Sequence, residues 1–260
     1  MTRVLQVTDA LALTGERTVP GAAGESYWFA RHEAAYLWAR ERYRAELPGA
    51  VVVDAGSGEG YGAALLAGAG PRMVLAFELD GGASRHAGAT YPSLSSVRTN
   101  LVALPVRDCA VDLLVSLQVV EHLWDLSGFL CECARVLHHG GSLAVTTPNR
   151  PVFSPGLHRG ERPTNPFHVQ EFDSGELTEA LAHNGFQAVT VGGVHHSERI
   201  EQWERSRGTG LVAAQVAAVT GIGPVPADTA RFVASCTVAD FHVSSSPVGA
   251  QDLVALGVRR

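Results

Sequence analysis

Lysine is absent from this chain of 260 residues: all 20 cationic residues are arginine, against 26 acidic residues, and the net charge is −6. The arginines are scattered, so the sequence has no basic stripe of the kind that binds phosphate backbones. We therefore expect no nucleic-acid partner. The missing lysine is typical of a GC-rich genome, and we draw no function from it.

Long apolar runs are also missing. No segment approaches the roughly 20 apolar residues that span a bilayer, and the N-terminus lacks the continuous apolar region of a secretion signal. We therefore expect a cytoplasmic protein without a membrane partner. Cysteine is scarce, and its spacing matches neither a disulfide framework nor a zinc site, so we assign all four to packing: Cys109, Cys131, Cys133 and Cys236.

Strand and helix patterns alternate along the chain, whose hydrophobic content of 46% can supply a full-sized core. The apolar runs at 50–56, 72–78 and 111–118 show no alternation with polar residues, which is typical of a parallel sheet covered on both faces. We predict a doubly wound, Rossmann-like α/β fold in one domain, with a helix over 125–138. The predicted parts are an N-terminal helix and lid at 1–48, a core at 49–195, a helical lid insertion at 196–235 and final strands at 236–260.

A glycine-rich loop, D-A-G-S-G-E-G at residues 54–60, follows the first predicted strand. Glycines there let the backbone approach a nucleotide-like ligand, and residues 58–63 also fit the G-x-G-x-x-A pattern of dinucleotide-binding proteins. Charge separates the two ligands, because Asp54 and Glu59 would repel a pyrophosphate but attract the sulfonium and ammonium groups of S-adenosylmethionine. We therefore predict S-adenosylmethionine as cofactor, lying against Gly56, Gly58 and Gly60.

Further cofactor contacts are predicted beyond this loop. Glu78, at the end of the second strand, is placed to accept hydrogen bonds from ribose hydroxyls, as acids in NAD-binding folds also do. We expect Asp54 and Glu78 to lie at exposed strand ends. Asn100 and Leu101 follow the third strand and would flank the adenine.

An acid and a histidine, Glu121 and His122, come directly after the fourth strand in the stretch VVEHLWD. The ligand crevice of an open α/β sheet lies beyond the carboxyl ends of its strands, so both should face the reacting group. His122 could act alone as general base, or both could bind a divalent ion together with the acceptor hydroxyl, with His168 of the long loop 149–172 as third ligand. The remaining alternative is that Glu121 caps the next helix while His122 packs beneath it.

The glycine loop, Glu78, Asn100 and the apolar strand at 111–117 occur in an order that resembles the class I S-adenosylmethionine-dependent methyltransferases, over roughly residues 50–150. The resemblance implies a seven-stranded sheet whose last strand is antiparallel. It also implies that the cofactor lies across the carboxyl ends of the first strands.

Residues 118–122, QVVEH, resemble the E-x-x-E-H signature of metal-dependent O-methyltransferases of ubiquinone biosynthesis and of RNA 3′ ends. This resemblance implies Mg²⁺ or Mn²⁺ held by Glu121, His122 and His168, because the RNA enzymes also use a later histidine as ligand. Imidazole suits Mn²⁺ better than Mg²⁺. Gln118 departs from the signature, since an amide lacks the charge of a carboxylate. We assign it to the cofactor, with a water, metal or substrate contact left open.

The segments LTGERTVPG (13–21) and YWFARHEAAY (27–36) lie outside the general methyltransferase pattern, and NPFHVQEF (165–172) follows the fifth strand. With them the chain resembles, over nearly its whole length, mycobacterial and related actinobacterial sugar O-methyltransferases that act on intracellular polymethylated polysaccharides. This resemblance implies a small oligosaccharide substrate and, within the group, the 1-hydroxyl of short 3-O-methylated mannosides in methylmannose polysaccharide biosynthesis.

The first predicted helix, 26–46, carries side chains with more than one interpretation. Tyr27 and Arg31 are assigned to the cofactor, although Arg31 and His32 could instead contact the acceptor or lie on a solvated face. Several aromatic residues could cover the crevice and bind the apolar side of a partly methylated sugar, or could belong to the core: Tyr27, Trp28, Phe153, Phe167 and Trp203.

Three functional alternatives stay open beside a sugar O-methyltransferase. One is another small acceptor, such as a methylglucose polysaccharide, the sugar of a peptide-derived cofactor or a quinone phenol. Another is a non-catalytic domain that senses S-adenosylmethionine or its homocysteine product, and the last is a dehydrogenase. The sequence also leaves a homodimer open.

Overall fold

The computed structural model describes residues 18–21, 24–163, 165–219 (the backbone alone from 216) and 225–260. The predicted N-terminal segment before Thr18, with the first five residues of LTGERTVPG, lies outside the described residues. So do positions 220–224 of the predicted lid insertion.

The helices follow the predicted alternation with strands. Two short 3₁₀ turns, Val120–His122 and Val238–Asp240, accompany them. The helices are α1 Ser26–Arg42, α2 Tyr61–Ala67, α3 Gly81–Thr90, α4 Leu126–Val136, α5 Arg150–Phe153, α6 Ser174–His183, α7 Glu198–Arg207, α8 Leu211–Val219 and α9 Ala227–Ala234.

Eight strands, counted over the described residues, form one mixed sheet in the order β3-β2-β1-β4-β5-β8-β6-β7. They are β1 Val51–Ala55, β2 Met73–Glu78, β3 Ser95–Arg98, β4 Val111–Leu117, β5 Leu137–Pro148, β6 Phe186–His196, β7 Phe241–Ser244 and β8 Asp252–Arg259. The first five strands are parallel and β8 runs antiparallel to β5, so the predicted α/β class and the antiparallel last strand are confirmed.

The predicted number of seven strands is wrong. β6 continues five residues beyond its predicted end at position 191, to His196. That extension leaves an edge with which β7 pairs antiparallel, from Gly193 opposite Ser244 to His196 opposite Phe241. The sheet therefore has an eighth strand, β7, because β6 extends beyond its apolar stretch and offers β7 a partner.

Apolar clusters cover both faces of the sheet, as a doubly wound fold requires. On one face α1 and α2 pack together with the 198–236 segment, through residues such as Tyr36, Leu66 and Val233. On the other face α4 and α6 pack on the strands through Phe129 and Leu181. Each such buried side chain contributes about 1.5–3 kcal/mol to folding. Helices α7 to α9 thus share the core of α1.

Helix α4 ends earlier than the predicted range of 125–138. It begins after Asp125, whose side chain accepts a hydrogen bond of 2.8 Å from the backbone N–H of Gly128. β5 then starts at Leu137, which pairs with Val111 before a register shift in the β4–β5 ladder. Strand pairing therefore takes the last two residues of the predicted helix.

The cysteines divide into two groups. Cys133 and Cys236 are buried, which confirms their packing role, whereas Cys109 and Cys131 are exposed. All four are free thiols.

Among the residues described, no helix has the length and apolar character needed to cross a membrane.

Candidate active site

The glycine loop is folded around the end of β2. Gly56 has φ +86°, and a Cβ there would lie 2.4 Å from the side chain of Val119, so only glycine fits. The N–H of Gly58 donates to Glu78 Oε2 at 2.9 Å, and Asp80 N–H donates to Oε1 at 2.8 Å. Each carboxylate oxygen of Glu78 has capacity for another donor, such as a ribose hydroxyl.

A buried hydroxyl in the same loop fits a nucleotide-like ligand. Ser57 is 5% exposed, and its Oγ has no hydrogen-bond partner among the described residues. A Cβ built on Gly58, by contrast, would meet nothing within 4 Å. The loop therefore offers an unsatisfied polar atom beside an open backbone surface, which is the arrangement that a cofactor in close backbone contact requires.

Asp54 is buried, so the expectation that it lies at an exposed strand end is wrong. Both of its carboxylate oxygens accept from the hydroxyl of Tyr36 at 3.1 Å. Burial raises the pKa of Asp54 to about 7, with a smaller increase from the charge of Glu78 and an opposing effect of the Tyr36 hydrogen bond. A cationic ligand would stabilise the charged form of this carboxyl.

Glu59 differs from Asp54 in what it contacts. Its Oε1 accepts from the backbone N–H of Tyr61, in α2, at 3.2 Å, and its Oε2 lies 3.3 Å from Nε2 of His86, in α3. Its carboxylate is thus engaged in helix packing. Asp54 carries the charge argument for a cationic cofactor by itself.

Asn100 and Leu101 follow β3 as predicted but have different surroundings. Asn100 is exposed and accepts through Oδ1 from the N–H of Val102, whereas Leu101 is buried in the α4–α6 side of the core. Their contact with adenine stays a prediction.

The predicted cofactor and acceptor residues of α1 are mostly held by protein partners. Tyr27 is fully buried and its hydroxyl lies 2.7 Å from Nε2 of His196, which favours packing over ligand binding. His32 donates through Nε2 to the carbonyl of Leu117 at 3.2 Å and accepts from Tyr61 Oη at 2.7 Å. Burial lowers the pKa of His32 to about 4, so it is a neutral link between helix and sheet.

Arg31 and Gln118 meet at the end of β4. Arg31 donates to Gln118 Oε1 at 3.3 Å and pairs with Asp252 at 3.0 Å. Gln118 has φ +59°, a left-handed conformation that is sparse for a side chain other than glycine, and its N–H donates to the carbonyl of Thr146. Such backbone strain is found at functional sites.

The structure brings Glu121, His122 and His168 together. One possible ligand atom of each lies within 4.8 Å of the other two. Glu121 and His122 stand on the 3₁₀ turn after β4, and the loop from β5 returns alongside, where Val169 N–H donates to the Glu121 carbonyl at 2.8 Å. The backbone N–H of Gln170 also donates to the Glu121 carbonyl, at 3.3 Å, and its side-chain amide donates to the Leu123 carbonyl at 3.2 Å. Backbone pairing of two distant segments thus sets the geometry of the cluster.

Both histidine rings are oriented by acceptors at Nδ1. His122 donates to the carbonyl of Phe167 at 3.0 Å, and His168 donates to Glu171 Oε1 at 2.8 Å. Each Nδ1 therefore carries the hydrogen, which leaves the lone pair on Nε2, the form that binds metals. The Nε2 of His168 accepts from the amide of Asn165 at 3.0 Å.

Glu171 is a site residue that sequence reasoning missed. Its side chain is 1% exposed, and its Oε2 has no partner among the described residues. The available signal was the H-x-x-E spacing from His168 within NPFHVQEF. A carboxylate behind a histidine is the usual outer partner of a metal-binding imidazole.

Glu121 is a buried acid. Burial raises its pKa, against the opposing electrostatic effect of the neighbouring His122 and His168, and the hydroxyl of Thr147 donates to Oε2 at 3.0 Å. The alternative that Glu121 caps the next helix is wrong, because Asp125 caps α4. A carboxylate and two imidazoles fit a divalent transition ion such as Mn²⁺ better than Mg²⁺.

The aromatic residues do not act as one group. Trp28 and Phe153 lie at the site, each with its ring centre 4.9 Å from the guanidinium carbon of Arg31. Trp203 instead stacks on Phe232 within the α7–α9 segment. Phe167, whose carbonyl orients His122, is 50% exposed, and Trp124, which the sequence reasoning left unassigned, is 90% exposed two residues after His122.

The chain is similar to known proteins in sequence and in fold. A model of the family described as "Methyltransferase domain" matches residues 53–145. The chain is 40% identical over 254 residues to a Mycobacterium tuberculosis protein named "probable S-adenosylmethionine-dependent methyltransferase", covering 96% of this chain and 90% of that protein. It is 28% identical over 180 residues to a ubiquinone biosynthesis O-methyltransferase of Rhizobium etli, covering 62% of this chain and 69% of that protein.

A solved structure shares the fold. An S-adenosylmethionine-dependent methyltransferase from Thermotoga maritima superposes with a TM-score of 0.61 at 17% sequence identity, over 90% of this chain and 93% of that one.

Proposed function

The chain belongs to the family of S-adenosylmethionine-dependent methyltransferases, and from this premise we propose that it methylates a hydroxyl oxygen of a sugar. S-adenosylmethionine is the methyl donor of the family. The observation that carries the proposal is the cluster of Glu121, His122 and His168 directly beyond β4, beside the glycine loop. That cluster suits an acceptor that must lose a proton while it attacks the methyl carbon.

A sugar hydroxyl is too weak an acid to attack a methyl group unaided at neutral pH. We propose that Glu121, His122 and His168 hold a divalent ion. Bound there, such an ion would act as a Lewis acid that stabilises negative charge on the acceptor oxygen. Neighbouring groups orient the three ligands. Glu171 orients the ring of His168, the Phe167 carbonyl orients the ring of His122, and the Thr147 hydroxyl orients the Glu121 carboxylate.

We further propose that the hydroxyl is the 1-OH of short 3-O-methylated mannosides, in the synthesis of methylmannose polysaccharide. This proposal is supported by the resemblance of YWFARHEAAY and NPFHVQEF to sugar O-methyltransferases of actinobacteria. It is also supported by exposed aromatic surface at Trp124 and Phe167 near the cluster, since aromatic faces suit the apolar side of a methylated sugar.

A second candidate acceptor is the phenol of a quinone precursor. The similarity to a ubiquinone biosynthesis O-methyltransferase favours it, because that protein's name specifies O-methylation. A phenol is a stronger acid than a sugar hydroxyl, so it would depend less on a metal ion.

The test is a methyl-transfer screen with radiolabelled S-adenosylmethionine and Mn²⁺. The acceptors are 3-O-methylmannosides with a free 1-OH, the same sugars already methylated at position 1 as matched controls, gluco-oligosaccharides and a catechol. We expect transfer to the free 1-OH and none to its blocked partner. Transfer to the catechol alone would replace the sugar proposal, and S-adenosylmethionine binding without transfer to any acceptor would favour a sensor.

A further inference from the structure

A buried ion pair beside the cluster has two unsatisfied atoms. Arg31 and Asp252 pair at 3.0 Å with side chains that are 6% and 3% exposed. Nη1 of Arg31 and Oδ1 of Asp252 are both buried without a hydrogen-bond partner among the described residues. Native proteins rarely leave a donor and an acceptor unsatisfied within one pair, so this pair offers one donor and one acceptor to a group that both donates and accepts.

Sheet topology places the pair on the acceptor side. Asp252 stands opposite Pro148 at the end of β5, and the preceding Thr147 holds Glu121. Glu78, the predicted ribose contact, is on β2, four strand positions from β8, or about 19 Å at 4.8 Å per step. Since the amino acid and the ribose of the cofactor flank one sulfonium, a cofactor whose ribose contacts Glu78 would have its amino-acid end over β1 and β4, before Asp252.

The surroundings of the pair fit a polyol. The ring centres of Trp28 and Phe153 each lie 4.9 Å from the Arg31 guanidinium carbon. The charged groups of the pair can form hydrogen bonds with the hydroxyls of a polyol, and the aromatic rings can pack against its C–H groups. Phe153 belongs to the same loop as His168, so one loop contributes both to the cluster and to this wall.

We propose that Arg31 and Asp252 form an acceptor subsite, which binds a hydroxyl adjacent to the one that is methylated. Arg31 Nη1 donates to that hydroxyl oxygen, and the hydroxyl donates to Asp252 Oδ1. The inference rests on the proposed function in that it assigns the acceptor side of the site. It assigns Arg31 to the acceptor and not to the cofactor.

The test compares two variants with a matched control. Asp252→Asn removes one charge and leaves Arg31 buried without its partner, so it tests the subsite at some risk to folding. The paired variant Arg31→Met with Asp252→Leu removes both charges and should keep the fold. The control pair, Arg135→Met with Glu132→Leu, removes a hydrogen-bonded ion pair on α4 beside the start of β4, whereas the cluster follows the end of that strand.

The measurements are the affinity for S-adenosylhomocysteine by calorimetry and KM for whichever acceptor the wild type methylates, sugar or catechol. We expect KM to rise at least tenfold in both subsite variants, with S-adenosylhomocysteine affinity within twofold of wild type, and neither value to change in the control. A tenfold loss of S-adenosylhomocysteine affinity would overturn the inference and assign the pair to the cofactor. Unchanged KM would show that the pair holds only a buried water.

A binding experiment tests the subsite even if the proposed function is wrong. If the wild type methylates none of the acceptors, 3-O-methylmannose is tested by saturation-transfer NMR in the presence of S-adenosylhomocysteine. A signal in the wild type that the paired variant loses supports the subsite. No signal in the wild type, or an equal one in the variant, overturns it.

Discussion

The two halves of the sheet's carboxyl edge are constructed differently. At the end of β2, the polar contacts are with backbone groups: Glu78 accepts from the N–H of Asp80 and from the N–H of Gly58 in the glycine loop. At the ends of β4, β5 and β8, they join remote side chains, such as Arg31 with Asp252 and Glu121 with Thr147. The first half is a local motif, and the second forms only when the whole chain has folded.

The two halves should therefore respond differently to substitution. A site formed by the backbone of the glycine loop depends on the conformation of its glycines and tolerates substitution of other side chains. A site of converging side chains depends on each partner, because removing one leaves another buried group unsatisfied. If the halves are independent, variants of one should leave ligand binding to the other intact.

The strongest test removes the charge of the cluster. Glu121→Gln keeps the size of the side chain and an acceptor for the Thr147 hydroxyl, but removes a metal ligand. We expect kcat/KM to fall by about 10³ or more, since metal assistance contributes several kcal/mol to transition-state stabilisation. A chelator should have the same effect on the wild type, with recovery on adding Mn²⁺.

The control for this variant is S-adenosylhomocysteine affinity, which should stay within twofold of wild type. If full turnover survives both the chelator and the substitution, the metal hypothesis is wrong, and His122 acting alone as a base is the better account.

The next test concerns the residue behind a proposed ligand. Glu171→Gln leaves His168 in place but weakens the hydrogen bond that orients its ring. We expect Mn²⁺ affinity, measured by electron paramagnetic resonance, to fall about 10- to 100-fold. Glu41→Gln, at an exposed position of α1, is the matched control and should bind Mn²⁺ like the wild type. Equal affinities in both variants would limit Glu171 to a packing role.

A smaller effect is expected in the first half. Glu78→Gln should lower S-adenosylhomocysteine affinity roughly tenfold, because a hydrogen bond to a charged acceptor contributes about 1.5–3 kcal/mol. Calorimetry measures it, and the Mn²⁺ affinity of the same variant should not change. Loss of both affinities would show that the halves are coupled.

The smallest effect is a pH dependence carried by Asp54. Its pKa in the folded protein is about 7, above the ordinary 3.8, so the neutral form is favoured and its contribution to stability declines as pH rises from about 4 through 7. The affinity for a cationic ligand changes with pH in the opposite direction, since the ligand needs Asp54 in its charged form. Affinity for S-adenosylmethionine should therefore rise between pH 6 and 8, by less than tenfold per unit.

Asp54→Asn keeps an acceptor for the Tyr36 hydroxyl and removes the titration. In this variant the same affinity should be lower and independent of pH over that range. A wild-type affinity that does not change with pH would mean that Asp54 lies apart from the cofactor's charges.

The sequence predicted the local half well. The glycine loop, the acid at the end of β2 and the apolar parallel strands are contiguous patterns with a direct physical meaning. It also predicted that His168 would approach Glu121 and His122, because the fifth strand ends beside the fourth and the loop after it is long. The burial of Asp54 was missed, since it depends on Tyr36 packing over β1 from another element.

The remote half was predicted only in part. Nothing near Asp252 in the sequence indicates a partner on α1, because the pairing depends on β8 lying next to β5. β7 falls within the predicted final strands at 236–260, but the seven-stranded sheet implied by the resemblance has no place for it, because its partner is the extension of β6. Glu171 was missed because an acid three residues from a histidine is common in loops.

The loop that carries His168 is fastened at both ends. Asn149 bridges to Phe172 and donates its side-chain amide to the Ala250 carbonyl at 2.8 Å, while Arg150 N–H donates to the Phe172 carbonyl at 2.9 Å. Once two ends are held together, lengthening the segment between them costs only about 0.6 kcal/mol per doubling. The part of this loop before Asn165 can therefore vary in length at little cost in folding free energy, because its paired ends keep His168 and Glu171 beside the cluster whatever lies between them.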